Sequence, residues 1–411
     1  MTTYVLAGTL LAKPGEDPLA KQTIAIDKGR ITSVTPGFTA PKPGDEVIDL
    51  SDQFVLPGLI DCHVHLTGEF GPQHKMEQVE ESPAAVALHA ARHARKTLEA
   101  GFTTVRDLGD MGGSADAIFA LRNAVAKGYV AGPRIFAAGS IISPTGGHGM
   151  ACGYRDDVNL LLDSSGRADG ADGCRAAVRR QVSRGADFIK FVATGGVLTD
   201  TETGIGQQFF DDEYDAIVAT AKMMGRKTTA HAHGADGMKA ALRAGVDAIE
   251  HGTFMDAEAT EMMLTRGTVY VPTTLAGATV AEQAKTADFM PPAIRRKALE
   301  VGPKILDTLA RSHRVGLKIA FGTDTGVSPH GENAKEFALM VKAGMSPMEA
   351  IRAATVTAAA HIGHADALGS IEPGKAADLI AVDTDPLADV AALMHVAFVM
   401  KAGAVFRHRP R

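Results

Sequence analysis

Nowhere does the chain carry an apolar run of about 18 or more residues, the length a bilayer crossing needs, so nothing in it is expected to span a membrane. Its first residues, Met-Thr-Thr-Tyr-Val-Leu-Ala-Gly, have neither the basic segment nor the sustained apolar segment of a signal peptide. Basic clusters are missing too, and the net charge of −6 argues against binding a phosphate backbone, so no nucleic-acid partner is expected. Cys62, Cys152 and Cys174 are odd in number and scattered, which gives no disulfide framework and suits a reducing compartment. The expected location is the cytoplasm; a processed secreted or periplasmic form would read the same way. No Gly-x-Gly-x-x-Gly opens the first strand–helix unit, which counts against a doubly wound, dinucleotide-binding sheet.

What is present is a chain of 411 residues, 45% of them hydrophobic, enough for a barrel with an accessory domain. Residues 3–49 read as short strands (Tyr4–Ala12, Gln22–Asp27, Arg30–Thr35, Glu46–Asp49) separated by turns such as Lys13-Pro14-Gly15 and Asp27-Lys28-Gly29. From Pro57 the rhythm changes to apolar strands alternating with helices. The strand candidates are Leu59–Leu66, Thr103–Leu108, Arg134–Ala138, Phe188–Ala193, Lys227–Ala232, Ala248–His251, Thr268–Thr273 and Leu317–Gly322. Helices are expected at Pro83–Ala100, Ser114–Lys127, Gly173–Arg184, Asp211–Met224 and Gly237–Ala244. Several end on the same pattern, an alanine-rich helix, then glycine, then a strand (Ala100-Gly101, Arg184-Gly185, Ala244-Gly245), as helix C-caps feeding parallel strands do. The expected fold is therefore α/β: a (β/α)8 TIM barrel over residues 57–363, with a small β-sandwich domain built from both chain ends, 1–56 and 364–411. A last helix is expected at Pro347–Ile362, and strands return at Val396–Lys401 and Ala404–Arg407.

The chemistry falls on the predicted strand tips, where a barrel of this kind keeps its active site. His63 and His65 are two apart on the first strand and so share a face. Lys190 lies within Asp-Phe-Ile-Lys-Phe-Val-Ala on the fourth, where a buried ammonium must be paired, neutralised or modified. His231 ends the fifth strand, His251 the sixth and Asp324 the eighth. As a set these exceed what a single catalytic zinc needs, so two divalent ions, most simply zinc, are expected. Lys190 could bridge them if CO2 carbamylates its amine, making it N6-carboxylysine. His233 follows His231 on the same face if the strand continues. His148 and His330 sit in glycine-bordered loops after the third and eighth strands, where a ligand can approach closely. His89 and His93 read as helix-surface residues, and Arg295–Glu300 as a solvated helix face.

The stretches Gly58–His65, Lys190–Val197, Ala230–Gly234, Glu250–Thr253, Gly322–Gly326 and Gly369–Leu379 resemble the metal-dependent amidohydrolase superfamily over nearly the full length. Within it the chain is similar to the binuclear, carbamylated-lysine subtype, and there to the Xaa-Pro- and Xaa-Arg-dipeptidase-like carboxypeptidases and the ochratoxin-hydrolysing amidohydrolases. The resemblance implies that His63, His65 and Asp324 hold one ion, that His231 and His251 hold the second, and that Lys190 bridges them. It implies attack of a metal-bound hydroxide on the amide of an N-acyl or peptidyl amino acid, with Asp324 moving the proton. Ochratoxin A, cleaved to phenylalanine and ochratoxin alpha, belongs to that substrate class. His148, His233 and His330 would then contact a small amide or dipeptide substrate, and a homo-oligomer is expected. Other readings are a cyclic-amide hydrolase of the imidazolonepropionase kind or a lactone or organophosphate hydrolase on the same fold. A scaffold that has lost its ions would lack ligands, and here none is missing.

Overall fold

The computed structural model describes residues 2–111, 115–150, 154–162, 166–199 and 204–409. Cys152 and the expected helix start at Ser114 lie outside them. Strands β1 (Thr3–Leu10), β2 (Leu19–Asp27), β3 (Arg30–Pro36) and β4 (Glu46–Pro57) open the chain. β4 runs eight residues beyond its expected end at Asp49, because its last five residues, Gln53 to Pro57, are buried between β1 and β12 on the way into the barrel.

The next seven strands are β5 (Leu59–Val64), β6 (Phe102–Asp107), β7 (Arg134–Ala137), β8 (Ile189–Val192), β9 (Thr228–Ala232), β10 (Ala248–His251) and β11 (Val269–Val271). All pair in parallel as two arcs, β5-β6-β7 and β8-β9-β10-β11. Single backbone bonds join the arcs: Ile142 N–H reaches Lys190 O, and Val192 N–H reaches Ile142 O. The eighth candidate, around residues 317–322, is less regular than expected yet closes the ring. On one side Ala320 N–H donates to Tyr270 O, and on the other Cys62 N–H donates to Phe321 O. Eight segments thus surround an interior of buried Phe, Val, Ile and Thr side chains.

The helices follow the sequence pattern. Gly185 and Gly245 cap theirs with φ of 104° and 95°, a conformation that costs other residues about 1–2 kcal/mol. The expected helix Pro347–Ile362 is interrupted by a π-helical turn at Ala353–Thr357, where Ala353 O turns aside to accept the N–H of Phe321 in the eighth segment.

At the C-terminus β12 (Leu379–Val382), β13 (Phe398–Lys401) and β14 (Ala404–His408) rejoin the N-terminal strands in one sheet of order β14-β13-β12-β4-β1-β2-β3. The sheet curls until its two end hairpins meet, with Gly29 against Ala402 and Gly403. It encloses a core of its own, including Val5, Leu10, Ile24, Leu50, Leu379 and Phe398. Among the described residues no helix is long and apolar enough to cross a membrane.

Candidate active site

The tips of β5, β8, β9 and β10 and the turn after the eighth segment converge on one cavity of about 290 Å³. His63, His65, Lys190, His231, His251 and Asp324 all line it, together with His148 and His233. On its wall two groups have ligand atoms within 4.8 Å of one another, His63, His65 and Asp324, and His231, His233 and His251; a third such group, Glu69, His93 and His330, lies off the wall. His63 and His251 join the groups, their ring centroids 5.1 Å apart. The expected six residues therefore meet, and His233 stands with His231 and His251 as well as on the cavity wall.

The outward nitrogens of these imidazoles are already engaged. His65 Nδ1–H donates to Gly109 O at 2.7 Å, and His63 Nδ1–H donates to Glu250 at 2.8 Å. His251 Nδ1 pairs with Thr273 Oγ1 at 2.7 Å, and His233 Nδ1 with Thr253 Oγ1 at 2.6 Å. Holding Nδ1 in this way fixes each ring and, in His63, His65 and His251, leaves the Nε2 lone pair of the neutral ring to face a cation. Two inward atoms make no hydrogen bond: His231 Nε2 and Asp324 Oδ1 are buried, the latter within 3.2 Å of His65 Nε2 and 3.4 Å of His63 Nε2. A buried unsatisfied polar atom costs about 1–3 kcal/mol, and a cation would satisfy both. The residue set fits divalent ions of the zinc kind.

Electrostatics agree. Burial pushes His231 and His251 well below the ordinary imidazole range, and their histidine neighbours push them further, so both are neutral and metal-competent. Burial works against the Asp324 carboxylate, but His63 and His65, 3.4 and 3.2 Å away, outweigh it and hold the group well below the usual range. Burial pushes the Lys190 amine down to about 8, against the pull of Glu250 and Asp324. Among the described residues none accepts a hydrogen bond from that amine. His251, Thr273 and Asp324 have φ of 67°, 53° and 57°, left-handed values that cost non-glycine residues about 1–3 kcal/mol each and mark functional turns.

Four supporting residues escaped the sequence reading. Glu250 accepts from His63, Arg106 and Thr229. Asp61 accepts from the His63 and Thr323 backbone N–H groups, the Thr323 hydroxyl and Asn333, and so ties β5 to the Asp324 turn. Asp107 accepts the N–H groups of Leu66 and Gly109. Arg106 spans Glu250, Cys62 O and His361 beneath the site. One signal was available for Asp61, which is two residues before His63 and shares its face.

One expected substrate contact is corrected. His330 does not line the cavity. Its Nε2–H donates to Gly68 O at 2.9 Å and its ring stacks on His93 at 4.1 Å, because the loop after the eighth segment folds back over the loop after β5. His93 is likewise no free surface residue, since its Nδ1–H donates to Leu66 O. Cys62, under His63, is buried with its thiol pushed up to about 12, which rules it out as a nucleophile.

A parallel eight-membered barrel with two histidine-rich, cation-competent groups at its strand tips defines a class of hydrolytic barrel enzyme. The amidohydrolase family model matches residues 54–405, and the chain belongs to that family. Ochratoxinase of Aspergillus niger is 30% identical over 430 residues, covering 98% of this chain and 86% of the relative. A solved Xaa-Pro dipeptidase with methionine bound in its active site is 43% identical, with a TM-score of 0.93 over 99% of this chain and 100% of that one. A prolidase complexed with N-methylphosphonate-L-proline is 30% identical, with a TM-score of 0.89 and full coverage of both chains. The protein is a hydrolase acting on amide bonds.

Proposed function

We propose that the chain is a two-ion amidase that releases an amino acid from dipeptides or N-acyl amino acids bearing a free carboxylate. The observation that carries this reading is that His231 Nε2 and Asp324 Oδ1, buried without a hydrogen bond, face one another's groups within a ring of imidazoles pinned from behind. His63, His65 and Asp324 would hold one ion, and His231 and His251 the other, with zinc the simplest choice. A carbamylated Lys190 would bridge them. The carbamate forms when the neutral amine bonds to the carbon of CO2 and loses a proton, leaving two oxygens that share one negative charge. Burial of Lys190 favours the neutral amine that this step needs.

When bound, such ions acidify water and polarise a carbonyl oxygen. Asp324 takes the proton of the attacking water and delivers it to the amide nitrogen as the C–N bond breaks, since an amine leaves poorly until protonated. His148 and His233, on the cavity wall, are the donors for the substrate's carboxylate and carbonyl oxygens. Val280, Phe289, Ile294, Val301 and Ile305 form an apolar wall that receives the side chain and keeps water from it. Support for a carboxylate-bearing substrate comes from the solved relatives, which hold methionine and a proline phosphonate.

The test is a panel of dipeptides and N-acyl amino acids, each offered as free acid and as carboxamide, with and without chelator. The free acids with apolar side chains are cleaved, the carboxamides at least about tenfold more slowly, a loss of about 1.4 kcal/mol or more, and chelator stops both. Ion-loaded protein that leaves every member intact would sink the reading.

A further inference from the structure

The helix Pro292–Arg314 turns an apolar stripe to the cavity, in which Ile294, Val301 and Ile305 line the wall. Lys297 lies in that stripe, three residues after Ile294 and four before Val301, and is only 6% exposed. The charged run Arg295–Glu300 is therefore not a wholly solvated face. An ammonium in such a position is costly unless it is hydrogen-bonded, and a methionine would fill the stripe more cheaply.

Lys297 Nζ donates to Gly196 O at 3.0 Å and to Thr199 O at 2.6 Å. Both carbonyls belong to the turn after β8, whose Val197, Leu198 and Thr199 also line the cavity. Thr199 Oγ1 lies 2.5 Å from His148 Nδ1. The same turn packs against the imidazole so closely that a Cβ on Gly196 would fall 2.3–2.5 Å from its ring atoms. His148 is held from its backbone as well, its N–H donating to Gln208 Oε1 at 2.8 Å, and its ring lies 4.2 Å from that of His231.

We propose that Lys297 is a positioning residue, clamping the 196–199 turn so that the Thr199 hydroxyl orients His148 toward the substrate carboxylate. With the hydroxyl donating to Nδ1, the neutral ring presents Nε2–H to the cavity as a donor. The chain of contacts runs from helix to turn to imidazole, so the helix that supplies the apolar wall also sets the carboxylate donor. The inference rests on the proposed carboxylate-bearing substrate and adds the residue that makes its recognition precise.

Ion-loaded wild type, Lys297→Met, Thr199→Val, Thr199→Ser, His148→Ala and the Lys297→Met/His148→Ala double variant are compared on one N-acyl amino acid and its carboxamide. Lys297→Met is expected to raise KM for the free acid by about tenfold, the scale of one hydrogen bond to a charged group, with kcat nearly unchanged. KM for the carboxamide stays at the wild-type value. The double variant is no worse than His148→Ala alone, Thr199→Val matches Lys297→Met, and Thr199→Ser restores the wild-type KM. Equal KM rises for both compounds, or additive effects in the double variant, would overturn the inference. If Lys297→Met does not fold, the Thr199 pair decides. If wild type cleaves neither compound, the functional reading has failed; calorimetric binding of the free acid then still shows whether the Thr199 and Lys297 changes weaken it as His148→Ala does.

Discussion

Replacing Glu250 by glutamine removes a charge without changing the shape of the barrel interior. The carboxylate is fully buried and lies 2.8 Å from His63 Nδ1, and it also accepts from Arg106 and Thr229. His63 would lose a hydrogen bond to a charged acceptor, worth about 1.5–3 kcal/mol. Arg106, itself buried, would lose its counter-charge, and breaking a buried pair by removing one partner costs about 3–5 kcal/mol. The two losses share one carboxylate, so the expected destabilisation is about 3–5 kcal/mol rather than their sum. At about 2.1 cal/mol/K per residue of unfolding entropy, this lowers the Tm of the ion-free protein by roughly 3–6 °C. Because Glu250 also fixes the ring of His63, a ligand in the proposed two-ion site, ion affinity should fall about 10–100-fold. Thermal denaturation of the ion-free protein gives the first quantity, and ion content after dialysis against graded chelator gives the second. A variant with unchanged Tm that also keeps its ions at the wild-type chelator concentration would refute the supporting role of Glu250.

Two further outcomes are expected. Asp324→Asn keeps the fold but loses about 10²–10⁴-fold in kcat, the usual contribution of a positioned acid–base group, and near-normal turnover would remove Asp324 from the proton path. Glu336, fully buried at the start of the helix Thr274–Thr286, accepts from the Thr274 and Leu275 N–H groups and the Thr274 hydroxyl. Burial raises it to about 7 in spite of those donors. A raised carboxyl contributes stability that is complete below the unfolded value and is lost as pH rises through the folded one. The stability advantage of wild type over Glu336→Gln, measured by urea unfolding, should therefore shrink between pH 4.5 and about 7. An advantage that is constant across that window would show that Glu336 does not titrate there.

Much of the site was legible because two periodicities place it. Residues two apart on a strand share a face, which brings His63 and His65 together, and a barrel gathers the C-terminal ends of its strands, which adds His231, His251 and Asp324. The supporting contacts were not legible, because they cross between strands far apart in sequence: Glu250 is 187 residues from His63. The path of a loop was equally hidden. His330 reads like His148 as a histidine among glycines, yet Glu69 captures its N–H and turns it away from the cavity. Lys297 was masked by its neighbours Arg295 and Arg296, since a charged run reads as solvated whichever member points inward. The irregular eighth strand was recognisable from its apolar run, while its pairing depends on Tyr270 and Cys62 in other segments.

The central claim is that six side chains from five places along the barrel enclose a pair of cations. The most direct measurement is the metal-to-protein ratio of gently purified chain, by elemental analysis, for wild type and for His231→Ala. The account predicts two ions per chain for wild type and a loss of one in the variant. A wild-type ratio near zero after saturation with zinc, or a ratio untouched by removing His231, would contradict it.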